Sequence, residues 1–507
     1  MKTIAAMMLL LAASLQPAAG ASSSIDWREW NPAAFAEARR EGRFVLLDLV
    51  AVWCHWCHVM DAKTYSDPAV QALISQHFVP VQADHDKRPD LAERYREWGW
   101  PATIILAADG TEIVKRAGYI DADAMGRLLR AVVDDPSPEA GSSPLPARLS
   151  ASAQLDRLTR ERLERRHVET HDGDLGGLRS GQKFVERDSV EWDLTLAARG
   201  DTAAERRARR TLDAGLALID PAFGGVYQYS THGDWAHPHY EKIIVSQAGY
   251  IRLYAQAARE LGEPRYRQAV DDVVRYLDDF LTSPDGAFYT SQDADLVQGT
   301  KGHEYFALGR EARLAQGVPR IDKHRYARHN GLLIEALADA ARDLKDPNLL
   351  ARADRAARWI IAERPLWGGG FRHDRLDAAG PYLGDTLAMG AAFLALHRTT
   401  GDAGWLKRAS RAAQFIDRNF RHDGGGLNAA VDNGTPVAPA PQLDENLAAA
   451  RFVLDLAALT QAAEHRELAT HVLRYLVTPE VALSRLTEAG VLLAADAFER
   501  LPRIPGG

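Results

Sequence analysis

Two cysteines three positions apart, Cys54 and Cys57, are the residues whose type and spacing most directly indicate chemistry in this chain. The sequence of 507 residues contains only 2 cysteines. A disulfide that closes so short a loop removes little entropy from the unfolded chain and would stabilise a fold only weakly. The pair therefore indicates redox chemistry, in which a thiolate attacks a disulfide bond.

The residues on either side of the pair predict the elements that would position it. Residues 44–52 are almost continuously apolar, as in a strand buried on both faces, and the pattern after Cys57 is helical. A cysteine at a helix N-terminus lies at the positive end of the helix dipole, and a protonated His55 would add positive charge. Such features lower thiol pKa values to about 3.5–7.5 in related motifs. Cys54 is therefore the predicted nucleophile and Cys57 the resolving thiol.

Two further residues could take part in the same chemistry. Asp48 interrupts the apolar strand six residues before Cys54 and could act as a buried general base that accepts the proton of Cys57. Pro101 precedes a second apolar run and could present a backbone edge to an extended substrate. The alternatives are a purely structural buried acid and an ordinary loop proline.

The first part of the chain resembles a thioredoxin-like domain. Helix 27–41 and the strand that follows it lead into the order helix, strand, helix, hairpin, helix. Cys54-His-Trp-Cys57 is similar to the redox dithiol at the start of a helix, Asp48 to the buried acid of the preceding strand, and Pro101 to the cis-proline that faces the dithiol. The resemblance implies a thiol–disulfide oxidoreductase.

Two other chemistries use the same residues. Cys54-x-x-Cys57-His58 is also the attachment pattern of c-type haem. Cys54, His55, Cys57 and His58 could instead contribute to a zinc site, although four positions on one turn cannot converge tetrahedrally without partners from elsewhere. The preceding strand, Asp48 and Pro101 favour the redox dithiol. We therefore predict no metal and no cofactor beyond a redox-active disulfide.

The N-terminus predicts export. Lys2, an apolar run over residues 4–15 and small residues at 19–21 form the pattern of a cleaved signal peptide, the alternative being a retained anchor. We expect a secreted, periplasmic protein with no stable membrane span after cleavage. With 61 Lys+Arg against 69 Asp+Glu and no long basic run, nucleic acid is not an expected partner.

The rest of the chain predicts an all-α domain. Residues 135–147 are rich in Pro, Ser and Gly, as in a linker, and long helical stretches broken by glycine clusters follow. Such units predict helical hairpins that close into an (α/α)6 six-hairpin toroid, with an open solenoid as the alternative. The expected organisation is a signal peptide (1–21), a thioredoxin-like α/β domain (22–134), a linker (135–147) and the toroid (148–507).

The loops of the helical half carry unusual polar residues. Glu241 and Asp293 could serve as general acid and base on a glycosidic bond. Histidines such as His239 could instead move a proton beside a carbonyl, and loop or helix-cap hydrogen bonds are the structural alternative. The predicted substrate-binding residues of the toroid are His239, Glu241, Gln247, Asp293, Asp295 and Asp385.

The whole chain resembles one family, the thioredoxin-domain proteins that include the spermatogenesis-associated thioredoxin-like protein and bacterial relatives. The segments that carry this resemblance are 53–60, 86–91, 99–101, 223–225, 238–242 and 291–295. In that family a thioredoxin fold precedes a six-hairpin toroid, which implies the same two-domain architecture here.

Three functional hypotheses follow. The first is an exported thiol–disulfide oxidoreductase that uses the Cys54–Cys57 dithiol and exchanges electrons with a thiol or disulfide protein or a small thiol, while the toroid binds a substrate or partner, such as a glycan. The second is a toroid glycan hydrolase or sugar epimerase with an accessory thioredoxin domain. The third is a binding protein with neither activity.

Overall fold

The computed structural model describes residues 25–139, 149–377 and 379–502. The predicted signal peptide (1–21) lies outside the described residues, as does most of the predicted linker.

The first domain is a four-stranded sheet with helices on both faces. The strand order is β2-β1-β3-β4, with β1 parallel to β2 and antiparallel to β3. Its elements in chain order are α1 (Pro32–Glu41), β1 (Phe44–Val50), α2 (His55–Lys63), α3 (Pro68–His77), β2 (Phe78–Asp84), α4 (Pro89–Arg94), β3 (Ala102–Leu106), β4 (Glu112–Ala117) and α5 (Ala122–Asp134).

This topology confirms the predicted thioredoxin-like fold. The strand β1 is central and buried on both faces, which explains its continuous apolar sequence. One boundary differs from the prediction, since α1 begins at Pro32 instead of residue 27. Asn31 caps the helix by accepting a hydrogen bond from the Ala34 N–H, and Pro32 occupies the first turn.

The second domain is helical. Its helices are α6 (Arg157–Thr170), α7 (Arg187–Ala197), α8 (Thr202–Gly215), α9 (Ile244–Leu261), α10 (Pro264–Tyr276), α11 (His303–Phe306), α12 (Arg310–Gln316), α13 (Ala327–Leu344), α14 (Pro347–Glu363), α15 (Leu383–Thr400), α16 (Ala403–Phe420), α17 (Leu443–Thr460), α18 (Ala463–Leu476), α19 (Pro479–Ala482) and α20 (Ala489–Glu499). Short strands lie in its loops: β5 (Tyr229–Ser230), β6 (Pro238–His239), β7 (Lys242–Ile243), β8 (Ser291–Gln292) and β9 (Ile321–Asp322).

Six inner helices close into a ring, which confirms the toroid and excludes the open solenoid. Around the ring α7 packs on α9, then α13, α15, α17 and α20, and α20 packs back on α7. Five inner helices pair with the outer helix that follows them in the chain, whereas α20 pairs with α6 from the other end of the domain. The two ends of the helical domain therefore complete the sixth hairpin together.

A repeated side-chain clamp explains the glycine clusters. After several outer helices the chain turns through glycines and forms an antiparallel bridge across the turn. A polar side chain near the start of the next inner helix then binds the backbone of the residue that follows the turn. The clamps pair Gln247 with Val226, Asn330 with Phe288, Thr386 with Phe371 and Asn446 with Leu427. The loops thus gather at the N-terminal ends of the inner helices.

The thioredoxin-like domain lies on that end of the toroid. Arg485 bonds Glu97 at 2.9 Å, Arg94 donates to the Ala438 carbonyl at 3.1 Å, and Arg328 forms an ion pair with Glu93. The two domains therefore share one interface at the loop end. Within the described part of the chain, no helix combines the length and the apolar character that crossing a membrane requires.

Candidate functional site

The two cysteines form a disulfide at the start of α2. Cys54 is the N-cap residue, and its sulfur accepts a hydrogen bond from the Cys57 N–H at 3.1 Å. Both side chains are buried, with exposures of 3% and 6%, in a cluster with Trp53 and Ala51. A thiolate at Cys54 would therefore meet the unpaired amides and the positive dipole end of α2.

Pro101 lies beside this cluster at the start of β3. The Trp100–Pro101 peptide bond is cis, and Trp100 packs against the cluster of the two cysteines. The carbonyl of Pro101 accepts a hydrogen bond from the Gly118 N–H at 2.8 Å. Docking of a substrate on the backbone around Pro101 stays a prediction.

Asp48 lies in the middle of β1, between Gln82 on β2 and Thr103 on β3. It is 1% exposed, and its Oδ2 accepts a hydrogen bond from Gln82 at 3.1 Å. Burial raises the pKa of Asp48 to about 7, so its carboxyl can gain or lose a proton near neutral pH. This value suits the predicted proton acceptor, a role that stays a prediction.

The toroid contributes a carboxylate directly to the redox motif. Asp295 follows β8, and its two oxygens lie 2.8 and 2.9 Å from Nδ1 of His55. The same carboxylate lies 3.4 Å from Nδ1 of His58, whose Nε2 is 3.2 Å from the Val52 carbonyl oxygen. Asp295 therefore bridges both histidines of the Cys-His-Trp-Cys-His motif.

The contact between Asp295 and the two histidines shifts the pKa values of Asp295 and His58 in opposite directions. Burial opposes ionisation of Asp295, but hydrogen bonds from His55 and His58 lower its pKa to about 2. Burial would lower the pKa of His58, yet the hydrogen bond to Asp295 and the charges of Asp293 and Asp295 raise it above its ordinary value. Burial raises the pKa of Asp293 to about 6, and its Oδ2 has no hydrogen-bond partner.

One group of side chains near the dithiol could hold a metal ion. His58, Asp293 and Asp295 offer ligand atoms that lie within 4.8 Å of one another, and they form the one such group found among the described residues. The two carboxylates come from the second domain. Of the four motif residues considered for a zinc site, only His58 belongs to this group, and Cys54 and Cys57 are joined in a disulfide.

His239 and Glu241 line a cavity together with Cys54. Glu241 is 4% exposed and its Oε2 has no hydrogen-bond partner, while Nδ1 of His239 lies 3.8 Å from that oxygen. Tyr229 stacks on the His239 ring with centroids 4.4 Å apart. A buried carboxylate oxygen without a hydrogen-bond partner is available to a ligand that enters the cavity.

Gln247 and Asp385 occupy structural positions. The amide of Gln247 accepts from the Val226 N–H and donates to the carbonyls of Val226 and Ile243, so the clamp uses it fully. Asp385 is fully buried on α15, and its Oδ1 accepts from the Arg328 N–H and from His373. Neither side chain is among those that line the cavity.

Sequence reasoning assigned no role to a second polar network behind the motif. Asp86 accepts a hydrogen bond from Nε1 of Trp53 at 2.9 Å, and its other oxygen lies 2.9 Å from Nδ1 of His85. Nε2 of His373, from the toroid, lies 2.5 Å from the Asp86 carbonyl oxygen. The sequence offered one indication of this network, because the Asp86–Leu91 segment is among those that carry the family resemblance. The sequence alone does not show what this segment contacts.

The cavity has a volume of about 1970 Å³ and lies between the two domains. Inner helices of the toroid form its wall, and Arg96–Trp98, Lys115 and Tyr119 of the first domain border it. Trp53, Trp56 and Trp100 line it next to Cys54. Cys54 therefore lines a partly open chamber between the two domains.

Comparison with known proteins supports both domains. Residues 9–132 match the family Thioredox_DsbH, described as "Protein of unknown function, DUF255". Human spermatogenesis-associated protein 20 is 25% identical over 317 residues, which are 54% of this chain and 39% of that protein. Thiol:disulfide interchange protein DsbD 1 of Pseudomonas aeruginosa is 35% identical over 103 residues, 19% of this chain and 17% of that protein.

The chain thus spans well under half the length of these curated relatives. The solved structure of cellobiose 2-epimerase from Spirochaeta thermophila is similar over 68% of this chain and 99% of that one, with a TM-score of 0.51 and 13% identity, which concerns the fold alone. The N-terminal part of this chain is thus similar to the Thioredox_DsbH family, and the (α/α)6 toroid that follows it has the fold of the epimerase structure.

Proposed function

We propose that this protein is a thiol–disulfide oxidoreductase whose redox centre is the Cys54–Cys57 pair. The observation that supports it best is the placement of Cys54, which caps α2, is bonded to Cys57 and lines the chamber between the domains. In the reduced protein Cys54 attacks a substrate disulfide and Cys57 then displaces the substrate from Cys54. Asp48, whose pKa lies near 7, accepts the proton that Cys57 releases.

Three variants test this proposal. In a cycling assay with a dithiol donor and a disulfide acceptor, we expect Cys54→Ser to reduce turnover to the uncatalysed rate. Cys57→Ser should trap a mixed disulfide on Cys54 that mass spectrometry detects. Lys63→Ala, a change at the opposite end of α2, serves as the control and should turn over like the wild type. Wild-type turnover by Cys54→Ser would refute the proposal.

The compartment and the electron partner are part of the same proposal. The signal-like N-terminus and the similarity to a DsbD protein support an exported, periplasmic location. A thiol protein or a small thiol would then supply or remove the electrons.

A carbohydrate-directed activity is a second candidate because Glu241 lacks a hydrogen-bond partner within the chamber. The toroid resembles the fold of a sugar epimerase, and His239 stands beside Glu241. Turnover of a saccharide that is lost in Glu241→Gln but kept in Cys54→Ser would favour this function. Absence of both activities in the wild type would leave a binding protein.

A further inference from the structure

The dithiol is largely buried, and Cys54 lines a chamber that is partly open to solvent. Cys54 and Cys57 are 3% and 6% exposed, and Ile243 of the toroid packs against their cluster. Asp295 covers the His55 side of the motif, and His55 itself is 8% exposed. Disulfide exchange requires the attacking sulfur to come into contact with the substrate sulfur. A substrate must therefore reach Cys54 through the chamber.

The chamber limits the size of what can enter. A sphere with the chamber's volume of about 1970 Å³ has a radius of about 8 Å, whereas a folded domain of about 100 residues has a radius of gyration of about 13 Å. Ligand pockets for small molecules measure about 300–1,000 Å³. The chamber is large enough for a small molecule or a short extended peptide, and it is too small for a folded domain to enter whole.

Contacts between the two domains hold the walls of the chamber together. Arg328 pairs with Glu93 across the interface in a partly buried position, Arg485 bonds Glu97 at 2.9 Å, and Nε2 of His373 lies 2.5 Å from the Asp86 carbonyl oxygen. Separating the domains would break these contacts together, including the partly buried ion pair of Arg328 and Glu93. The structure thus opposes exposure of the dithiol by simple domain separation.

The chamber wall carries both signs of charge. Arg252 pairs with Glu335 at 3.0 Å, and Arg451 with Asp188 at 3.2 Å. The carboxylate oxygen of Glu241 closest to His239 accepts no hydrogen bond. The unpaired Glu241 oxygen can bind the ammonium group of a ligand, and the tryptophans beside Cys54 supply apolar contact near the sulfur.

We infer that the dithiol acts on low-molecular-weight disulfides of amino acids or short peptides and not on disulfides of folded proteins. This inference rests on the proposed function. The Cys54 thiolate attacks one sulfur of the substrate, a mixed disulfide forms and one thiolate leaves. The Cys57 thiolate then attacks Cys54, the Cys54–Cys57 disulfide forms and the second thiolate leaves. Two electrons pass to the substrate, the two thiolates take up two protons, and a dithiol donor reduces the protein again.

The first test compares substrates on the full chain with dithiothreitol as the donor. Each rate is corrected for the uncatalysed reaction and expressed per substrate disulfide. We expect the rates with cystine and oxidised glutathione to exceed the rate with insulin by at least tenfold. Equal turnover of insulin would overturn the inference and leave the oxidoreductase function standing. Turnover of none of these disulfides would overturn the function itself.

The second test measures access without turnover. The Cys57→Ser variant has Cys54 as its single thiol, so labelling reports one site. For each reagent the labelling rate of the folded variant is divided by the rate of the same reagent with a free small thiol. We expect this ratio to be at least tenfold higher for N-ethylmaleimide than for a maleimide carrying a 5-kDa polyethylene glycol. In guanidinium the two reagents should label at rates that match their rates with the free thiol. Equal relative rates in the folded protein would contradict the inference.

Discussion

Asp295 of the toroid holds His55, the residue that follows the first cysteine, with both carboxylate oxygens within 2.9 Å of the His55 ring nitrogen Nδ1. The thioredoxin-like domain and the toroid are thereby connected at the redox motif itself. The environment of the dithiol is completed only when both domains are in place.

The first prediction concerns Asp295→Asn. The carboxylate of Asp295 contributes to the raised pKa of His58, so the amide should lower that pKa. NMR titration of the His58 ring signals measures the change. Asp293→Asn is the matched control and should produce a smaller fall, because its oxygen lies 3.8 Å from His58. An unchanged His58 pKa in Asp295→Asn would contradict the assigned contact.

The same pair predicts a pH window for stability. The low pKa of Asp295, about 2, gives stabilisation that is present above its ordinary value near 3.9 and is lost as the pH falls toward 2. The raised pKa of His58 gives stabilisation that is present below its ordinary value of about 6.5 and is lost as the pH rises through the raised value. Urea unfolding should therefore show the largest loss for Asp295→Asn between about pH 4 and pH 6.5.

The second prediction concerns Asp48→Asn. Burial raises the pKa of Asp48 to about 7, so ionisation destabilises the folded protein as the pH rises above about 4. One pKa unit corresponds to about 1.4 kcal/mol, so the variant should gain up to about 4 kcal/mol relative to the wild type above pH 7. The gain should vanish near pH 4, where both side chains are neutral. Urea unfolding at pH 4 and pH 8 measures it.

The activity of Asp48→Asn should change in the opposite direction. A positioned general base contributes about 100-fold or more to a proton transfer, so turnover at pH 7 should fall by about that factor. We expect the wild-type rate to rise with pH near 7, where Asp48 ionises, and we expect the variant to lack this rise. A variant that is more stable and equally active would assign Asp48 a structural role only.

The third prediction concerns the clamps of the toroid. Asn330 binds the N–H and the carbonyl of Phe288, and Asn446 binds the same groups of Leu427. Asn330→Ala leaves buried backbone groups unpaired, which costs about 1–3 kcal/mol for each group. Thermal unfolding should show a clear loss of stability. Asn348→Ala, at the exposed start of α14, is the control and should change stability by less than about 0.5 kcal/mol.

The fourth prediction concerns the interface pair of Arg328 and Glu93. Arg328→Met removes the cation that pairs with Glu93 and lies near Glu445, a buried carboxyl whose pKa burial raises well above its ordinary value. The interface should open more often, and the 5-kDa maleimide should label Cys54 several-fold faster in the Cys57→Ser background. The exposed pair Arg358 and Asp354 offers the control Arg358→Met, which should leave labelling unchanged.

Local sequence was sufficient for the redox motif and for the type of each domain. The apolar run before Cys54 predicted a buried strand, because a strand that is covered on both faces carries apolar residues at nearly every position. The polar and apolar pattern after the cysteines predicted a helix, and the resemblance to a thioredoxin dithiol implied that this helix starts at Cys54. The glycine clusters predicted paired helices because each turn recurs along the chain.

The sequence did not separate functional from structural polar residues in the toroid. Gln247 and Asp295 both stand in loop-rich, polar surroundings, yet Gln247 clamps a backbone turn and Asp295 bonds the redox motif. Hydrogen bonds to backbone depend on which turn lies beside the side chain, and this depends on how the helical ring closes.

The sequence by itself determined the dithiol, the strand and helix that carry it, and an all-α second domain, since these depend on neighbours in the chain. Only the tertiary structure decided that Asp295 meets His55 across 240 positions and that Cys54 lines a chamber between the two domains. Such contacts depend on where two separately folded surfaces come together, and no local pattern of residues encodes that placement.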